Sequence, residues 1–324
     1  MPMRTVNLID LLLPLLLGCS AAANREIDTD AQAGSGGATG TNSNSSGSLG
    51  VGGTDFSGSG AGATSTGASG GDDCSEAATY VYVLSTSNEL YSFQPDKQLF
   101  KKIGALGCNT ALQPNSMAVD RDATAWVNYV GTDGFLSDNQ GALYPVSTKD
   151  ASCKGGPLPL PFGWYRLGMG FSSNGNGSDQ ETLYVAGTSN GIGLGSFELG
   201  KNLLTPIGAF SGALTGKSAE LTGTGDGRLF GFFTTTPVQV AEIDKTTSKI
   251  LSSKELPEVP TPSAWAFSFW GGDFYLYTSD GLSHSRVSRY RPSDGSVLAN
   301  YMTDVGFIIV GAGVSTCAPI EAPK

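Results

Sequence analysis

The sequence holds one histidine in 324 residues, and 19 Lys and Arg against 29 Asp and Glu. One histidine excludes a metal centre built on several imidazoles. A net charge of −10 excludes a basic nucleic-acid surface. Charged residues are 15% of the chain, against about a quarter in ordinary globular domains. No apolar run approaches the roughly 18 uninterrupted residues expected of a membrane-spanning helix. Cysteine is scarce and odd in number, at five, so one thiol stays outside any set of intramolecular disulfides. Glycine is abundant instead: 46 residues, about twice the usual 7% share. A hydrophobic content of 39% still supplies a core.

Glycine and charge are unevenly placed. Residues 20–73 hold 14 glycines, and most of the remainder is Ser, Thr, Ala and Asn. Their large apolar side chains are Ile27, Leu49, Val51 and Phe56. Such a segment buries too little surface to offset its ordering entropy and is expected to be a disordered tether. As a Gly/Ser coil it would average roughly 40 Å end to end. Its charges are Arg25 against Glu26, Asp28, Asp30, Asp55, Asp72 and Asp73. They are too dilute for a binding site and suit solubility.

The first residues read as a targeting segment. Arg4 precedes an apolar stretch from Leu8 to Leu17, interrupted by Asp10 and Pro14. The stretch is too short to span a bilayer and fits the apolar region of a signal peptide. Leu16-Leu17-Gly18-Cys19 follows it and resembles the lipobox of bacterial lipoproteins. That resemblance implies cleavage before Cys19, lipidation of its thiol and amine, and stable membrane attachment by the acyl chains. Ser20 resembles the signal for transfer to the outer membrane. Assigning Cys19 to a lipid leaves Cys74, Cys108, Cys153 and Cys317 for disulfides, which an exported compartment permits.

The rest of the chain is repetitive. A short apolar strand recurs around Tyr82, Trp126, Tyr184, Phe230 and Tyr275, at spacings of 44, 58, 46 and 45. A second strand follows each, as 90–93, 143–146, 194–197, 240–243 and 287–290. Both alternate with period two. Third strands end on Leu106 and Phe210, each preceded by Ile-Gly-Ala. A strand rich in small residues precedes each aromatic one, as 116–120, 168–171, 218–221 and 265–268, with a fifth copy at 309–314. Small residues suit a crowded central axis. Four strands per 45–50 residues is propeller spacing.

The pattern resembles propellers built on YVTN/NHL-like repeats, with Asp120-Arg121-Asp122-Ala123 and Gly225-Asp226-Gly227 in the turn before the aromatic strand. The tethered layout is similar to exported lipoproteins of myxobacteria-like species. The expectation is therefore an all-β fold: a five-bladed β-propeller with four antiparallel strands per blade, over residues 74–324. Residues 1–18 are expected as signal peptide and 19–73 as tether. The last strand should complete the first blade, placing 79–84 beside 308–315 and allowing a Cys74–Cys317 disulfide. Cys108 and Cys153 then pair by elimination, although the strand assignment places them at opposite ends of a blade, about 17 Å apart. Either the loop 107–115 folds down the blade edge, or the strand bounds differ, or both thiols stay free.

Propellers commonly bind ligand where loops enter the inner strands. These loops present Asn115, Trp164, Tyr165, Arg166, Lys217 and Trp265, with Glu220 just inside. Aromatics, two cations and a carboxylate suit an anionic or sugar-like ligand. Gly212 to Ser218 mimics a phosphate loop, but its glycines are too close together and no helix is expected after it. His284 lies in a polar loop, and no nucleophile elbow accompanies it. The function expected is non-catalytic binding or scaffolding at the cell envelope, with an envelope protein or glycan as partner. Neither cofactor nor metal is expected, and the chain should be monomeric. The alternative is a propeller hydrolase or lyase. A glycosidase would need two carboxylates about 5–9.5 Å apart, and Asp120 and Glu220 are the inner-strand candidates.

Overall fold

The computed structural model describes residues 74–131, 140–188 and 191–323. The targeting segment, Cys19 and the tether lie outside the described residues. The strands are β1 (Val81–Ser85), β2 (Glu89–Gln94) and β3 (Leu99–Ala105), then β4 (Gln113–Val119), β5 (Thr124–Val130), β6 (Gly141–Ser147) and β7 (Leu158–Pro159). They continue as β8 (Leu167–Ser173), β9 (Glu181–Gly187), β10 (Gly193–Glu198) and β11 (Leu203–Gly208). Then come β12 (Ala219–Gly223), β13 (Leu229–Phe233), β14 (Gln239–Ile243) and β15 (Ile250–Glu255). The last are β16 (Ala264–Trp270), β17 (Asp273–Ser279), β18 (Arg286–Arg291), β19 (Ser296–Met302) and β20 (Ile309–Val314). They form five four-stranded antiparallel sheets, one per blade, and β20 completes the first in the order β20-β1-β2-β3. Val81 pairs with Val314 and Tyr82 with Gly313. The chain thus closes its own ring, as the repeat pattern implies.

Period-two alternation sends successive side chains of each blade to opposite neighbours. Val81, Val83 and Phe93 face the fifth blade, while Tyr82, Leu84 and Leu90 face the second. Five apolar clusters result, one between each pair of adjacent blades. All five aromatics of the repeat point the same way round the ring. Tyr82, Trp126, Tyr184, Phe230 and Tyr275 each pack toward the following blade. The wide spacing after Trp126 comes from longer connections, 131–140 and 148–157, around β6.

The inner strands β4, β8, β12, β16 and β20 contact one another in a ring. Small residues make that approach possible. A Cβ at Gly168 would lie 2.0 Å from the Ala219 carbonyl oxygen, and one at Gly223 would lie 2.1 Å from that of Phe171. Backbone atoms cannot yield as a flexible side chain can, so glycine is required at both.

Each outer strand is followed by an apolar residue that turns inward: Leu106, Leu160, Phe210, Leu256 and Val305. The third strands accordingly stop short of Leu106 and Phe210. Both disulfides are formed, with Cα separations of 5.8 Å for Cys74–Cys317 and 4.8 Å for Cys108–Cys153. The second resolves the tension in the sequence reading. Sheet twist accumulates across a blade and swings the end of the outer strand over the outer turn of the next blade. Gly107 N–H donates to the Ala151 carbonyl at 2.9 Å, which brings Cys108 to Cys153. The same contact recurs two blades on, where the Ser248 hydroxyl donates to the Ala209 carbonyl at 2.8 Å. A strand length was the wrong measure, because the pair joins two blades instead of the two ends of one.

The turns from β2 to β3 and from β10 to β11 are also equivalent. Gln98 (φ 51°) and Asn202 (φ 49°) both end a single 3-10 turn in left-handed conformation. Asparagine tolerates that region better than glutamine does. Gln98→Gly is expected to raise stability by about 0.5 kcal/mol, the relief of backbone strain outweighing the added chain entropy. Chemical denaturation of the two proteins side by side reads this directly.

Candidate functional site

The mouth is the end of the ring where the chain enters the inner strands. A β-bulge between Pro114 and Ser116 leaves Asn115 without a partner across the ladder. A bulge re-aims its side chain, here toward the third blade. Asn115 Nδ2 donates to the Leu167 carbonyl at 2.9 Å and to Asn128 Oδ1 at 3.0 Å. Asn128 Nδ2 donates to the Tyr165 carbonyl, and its Oδ1 accepts from Leu167 N–H, both at 3.0 Å. The two amides therefore clamp residues 165–167 at the start of β8. Asn115 Oδ1 also accepts from Arg166 Nη1, which fixes the guanidinium at the mouth. Asn128 was not among the expected site residues. Its signal was faint: a polar residue, fully buried, in an otherwise apolar strand.

Glu220 lies at the axis, 4% exposed. Its Oε2 accepts from the Ser116 hydroxyl at 2.8 Å. Ser116 is on β4 and Glu220 on β12, so this bond joins blades that are not neighbours in the ring. Burial pushes the Glu220 carboxyl well above its ordinary value, against the Ser116 hydroxyl, the Met169 N–H and the charge of Arg166. Lys217 is exposed at the rim and Tyr165 is half-buried.

Trp164 is buried and Trp265 partly buried, each against an interblade cluster. Trp164 is 8% exposed and packs between the second and third blades. Trp265 packs between the fourth and fifth, with its indole Nε1 buried and unbonded. Trp265 lies on β16, where alternation turns its side chain toward the wedge between blades, whereas Trp164 packs from the loop before β8.

Asp120 and Glu220 form no facing acid pair. Asp120 Oδ1 accepts from Thr124 N–H at 2.8 Å and its Oδ2 from Trp126 Nε1 at 2.9 Å, so its carboxylate is spent within its own turn. It also follows Ser116 by four residues, about 13 Å along an extended strand, whereas Glu220 is bonded to Ser116 itself.

Two groupings escaped the sequence reading. The first lies at the end opposite the mouth. Glu181, at the start of β9, accepts from Arg121 N–H at 2.8 Å and from the Thr316 hydroxyl at 2.7 Å. It thereby ties the third blade to the second and to the segment that carries Cys317. Burial pushes its carboxyl up to about 7, with the Asp120 charge adding to the effect and Thr316 and Arg121 opposing it. The second is a cleft of about 650 Å³ on the mouth face of the fourth blade. One wall is the connection from β11 into β12, including Lys217 and Ser218, and the other is the β13–β14 connection with Thr234, Thr235 and Thr236. Residues 212–218 do not form a phosphate loop: they make one 3-10 turn, Gly212–Leu214, and then enter a strand.

No protein-family model matches the chain, and no curated protein matches it. Among solved structures it is similar to TolB from Acinetobacter baumannii, at 16% identity and a TM-score of 0.40, over 67% of this chain and 51% of that one. The chain therefore spans about half the length of that structure. It is also similar to a gluconolactonase from Xanthomonas campestris, at 16% identity and a TM-score of 0.40, over 61% of this chain and 68% of that one. A third is an auxiliary nutrient binding protein from Bacteroides thetaiotaomicron, at 9% identity and a TM-score of 0.40, over 68% and 53%.

Proposed function

We propose that this chain is an exported lipoprotein, held to the outer membrane through Cys19, whose propeller is a non-catalytic binding module for an envelope glycan or protein. In this reading residues 1–18 are removed and 19–73 serve as the tether. The observation that carries it is the position of Cys74. Its disulfide to Cys317 puts the root of the preceding segment just beyond the end of β20, on the face opposite the mouth. In this reading the mouth, with Arg166 held by Asn115 and Lys217 at the rim, is the face that meets the partner. Two disulfides fit an exported chain. No helix among the described residues is long and apolar enough to cross a membrane. No enzymatic role is assigned, since the one inner-strand acid pair the sequence offered is not brought together.

The anchor is tested by fractionation. Cys19→Ala is expected to move the protein from the membrane to the soluble fraction, and continued retention of the variant on membranes would refute the anchor. The mouth is tested by binding of extracted envelope glycans to the exported protein. Arg166→Gln is expected to weaken binding several-fold, and unchanged binding sinks the mouth assignment.

A further inference from the structure

The cleft on the mouth face of the fourth blade is chemically one-sided. Lys217 carries the only charge among its lining residues, and the others that project polar groups are Ser218, Thr234, Thr235, Thr236 and Gln239. Neither a carboxylate nor an aromatic ring lines it. Its volume of about 650 Å³ suits a small ligand, for which sites of about 300–1,000 Å³ are usual.

The lining groups also divide into committed and uncommitted ones. The Ser218 hydroxyl donates to the Thr188 carbonyl and the Thr235 hydroxyl to the Pro237 carbonyl, both at 2.6 Å. With their hydrogens spent, these two oxygens can only accept from a ligand. Thr236 shares its hydroxyl with Thr261 at 3.4 Å. The ammonium of Lys217, the hydroxyl of Thr234 and the side-chain amide of Gln239 make no hydrogen bond or ion pair among the described residues. The cleft thus offers a cation, free donors and fixed acceptors, on the connection from the third blade into the fourth and on the β13–β14 connection within the fourth. A ligand that satisfies all three must carry an acid group beside several hydroxyls.

We propose that this cleft is a subsite for an anionic polyol: a sugar residue bearing a carboxylate or a phosphate. Its acid group sits on Lys217 and its hydroxyls pair with Thr234, Gln239 and the oxygens of Ser218 and Thr235. The proposal rests on the binding-module reading above and names the ligand class of that mouth face. It also returns a role to residues 212–218, whose glycine-flanked lysine resembles a phosphate loop without the helix: the lysine serves an anion by its charge alone.

The experiment is calorimetric titration of the full exported protein with digalacturonate, glucose 6-phosphate and neutral galactose, each at low and high salt. At least one acidic probe is expected to bind at least tenfold more tightly than galactose, and which of the two binds identifies the acid group. Lys217→Gln is expected to weaken that binding at least tenfold and to remove most of its salt dependence. Thr234→Val with Gln239→Leu is expected to weaken it several-fold while leaving the salt dependence in place. Lys217 is exposed and Thr234 and Gln239 are half-buried, so folding of each variant is checked by an unchanged unfolding midpoint. Equal affinity for acidic and neutral sugars, no binding of either acid, or full binding by Lys217→Gln overturns the subsite. Extracted envelope glycans run in parallel separate the two levels. If they bind and Lys217→Gln leaves them unaffected, the subsite is wrong and the module stands; if they do not bind, the glycan form of the module reading falls too.

Discussion

Replacing both Cys74 and Cys317 by alanine is expected to lower the stability of the propeller by about 5 kcal/mol, the largest effect of any pair of substitutions described here. The disulfide closes a loop of sequence separation 243, and the chain entropy it withholds from the unfolded state grows with the logarithm of that length. The bond also sits at the one place where the ring is not continuous. β1 and β20 are held together by ladder hydrogen bonds and by packing on their neighbours, with no connecting turn. Cys317 is 7% exposed, and Arg121 Nη2 lies 3.5 Å from Cys74 Sγ, so the bond is embedded in the cluster around Glu181. The Cys108–Cys153 bond, at a separation of 45, should be worth about 4 kcal/mol by the same reasoning. The two double variants differ more in kind than in size. Loss of Cys74–Cys317 should expose the β20 amides to hydrogen exchange by a local opening, while loss of Cys108–Cys153 should leave β20 protected up to global unfolding. A double alanine variant at 74 and 317 with the parent's unfolding midpoint and unchanged β20 exchange would show that the ring does not depend on this bond.

The second large effect is a loss of stability as pH rises. Glu181 is held near 7 in the folded protein by burial, against about 4.3 for a free glutamate. Between those values the folded state binds more protons than the unfolded state, so stability falls with increasing pH across that window. It is greatest at and below the unfolded value, and the loss is complete above about pH 8. A shift of this size corresponds to about 4 kcal/mol, or roughly 8 to 16 °C in unfolding temperature for a domain of this length. Glu220 adds in the same direction, since burial raises its carboxyl as well. Glu181→Gln keeps a carbonyl oxygen for Thr316 and cannot ionise, so its unfolding temperature should exceed the parent's at pH 8 and the two should converge at pH 5. Curves that stay parallel over that range would remove Glu181 as the cause.

Much of the fold was legible because its periodicities are local. The aromatic at one position of each blade, from Tyr82 to Tyr275, marks a side chain that must fill the same wedge five times. The glycines and alanines before each mark backbones that must touch, and the leftover strand 309–314 had only the first blade to complete. The candidate site was read less well. Loops entering inner strands do gather at one face, and Asn115, Arg166 and Lys217 lie there. Which way a side chain points depends on register and loop path within a residue, and both Trp164 and Trp265 pack against interblade clusters.

What the sequence determined by itself is therefore the architecture: strand type from alternation, blade number from repetition, ring closure from a displaced last strand, and the Cys74–Cys317 pair that follows from it. These depend on pattern along the chain. Only the tertiary structure decided which groups meet across it. The Ser116–Glu220 bond spans 104 residues, and the Glu181–Thr316 bond spans 135. The bridge from Cys108 to Cys153 depends on sheet twist, and the cleft beside Lys217 on an interblade connection lying beside a turn within the fourth blade. No residue pattern encodes such distances, because they arise from the angle at which whole blades pack.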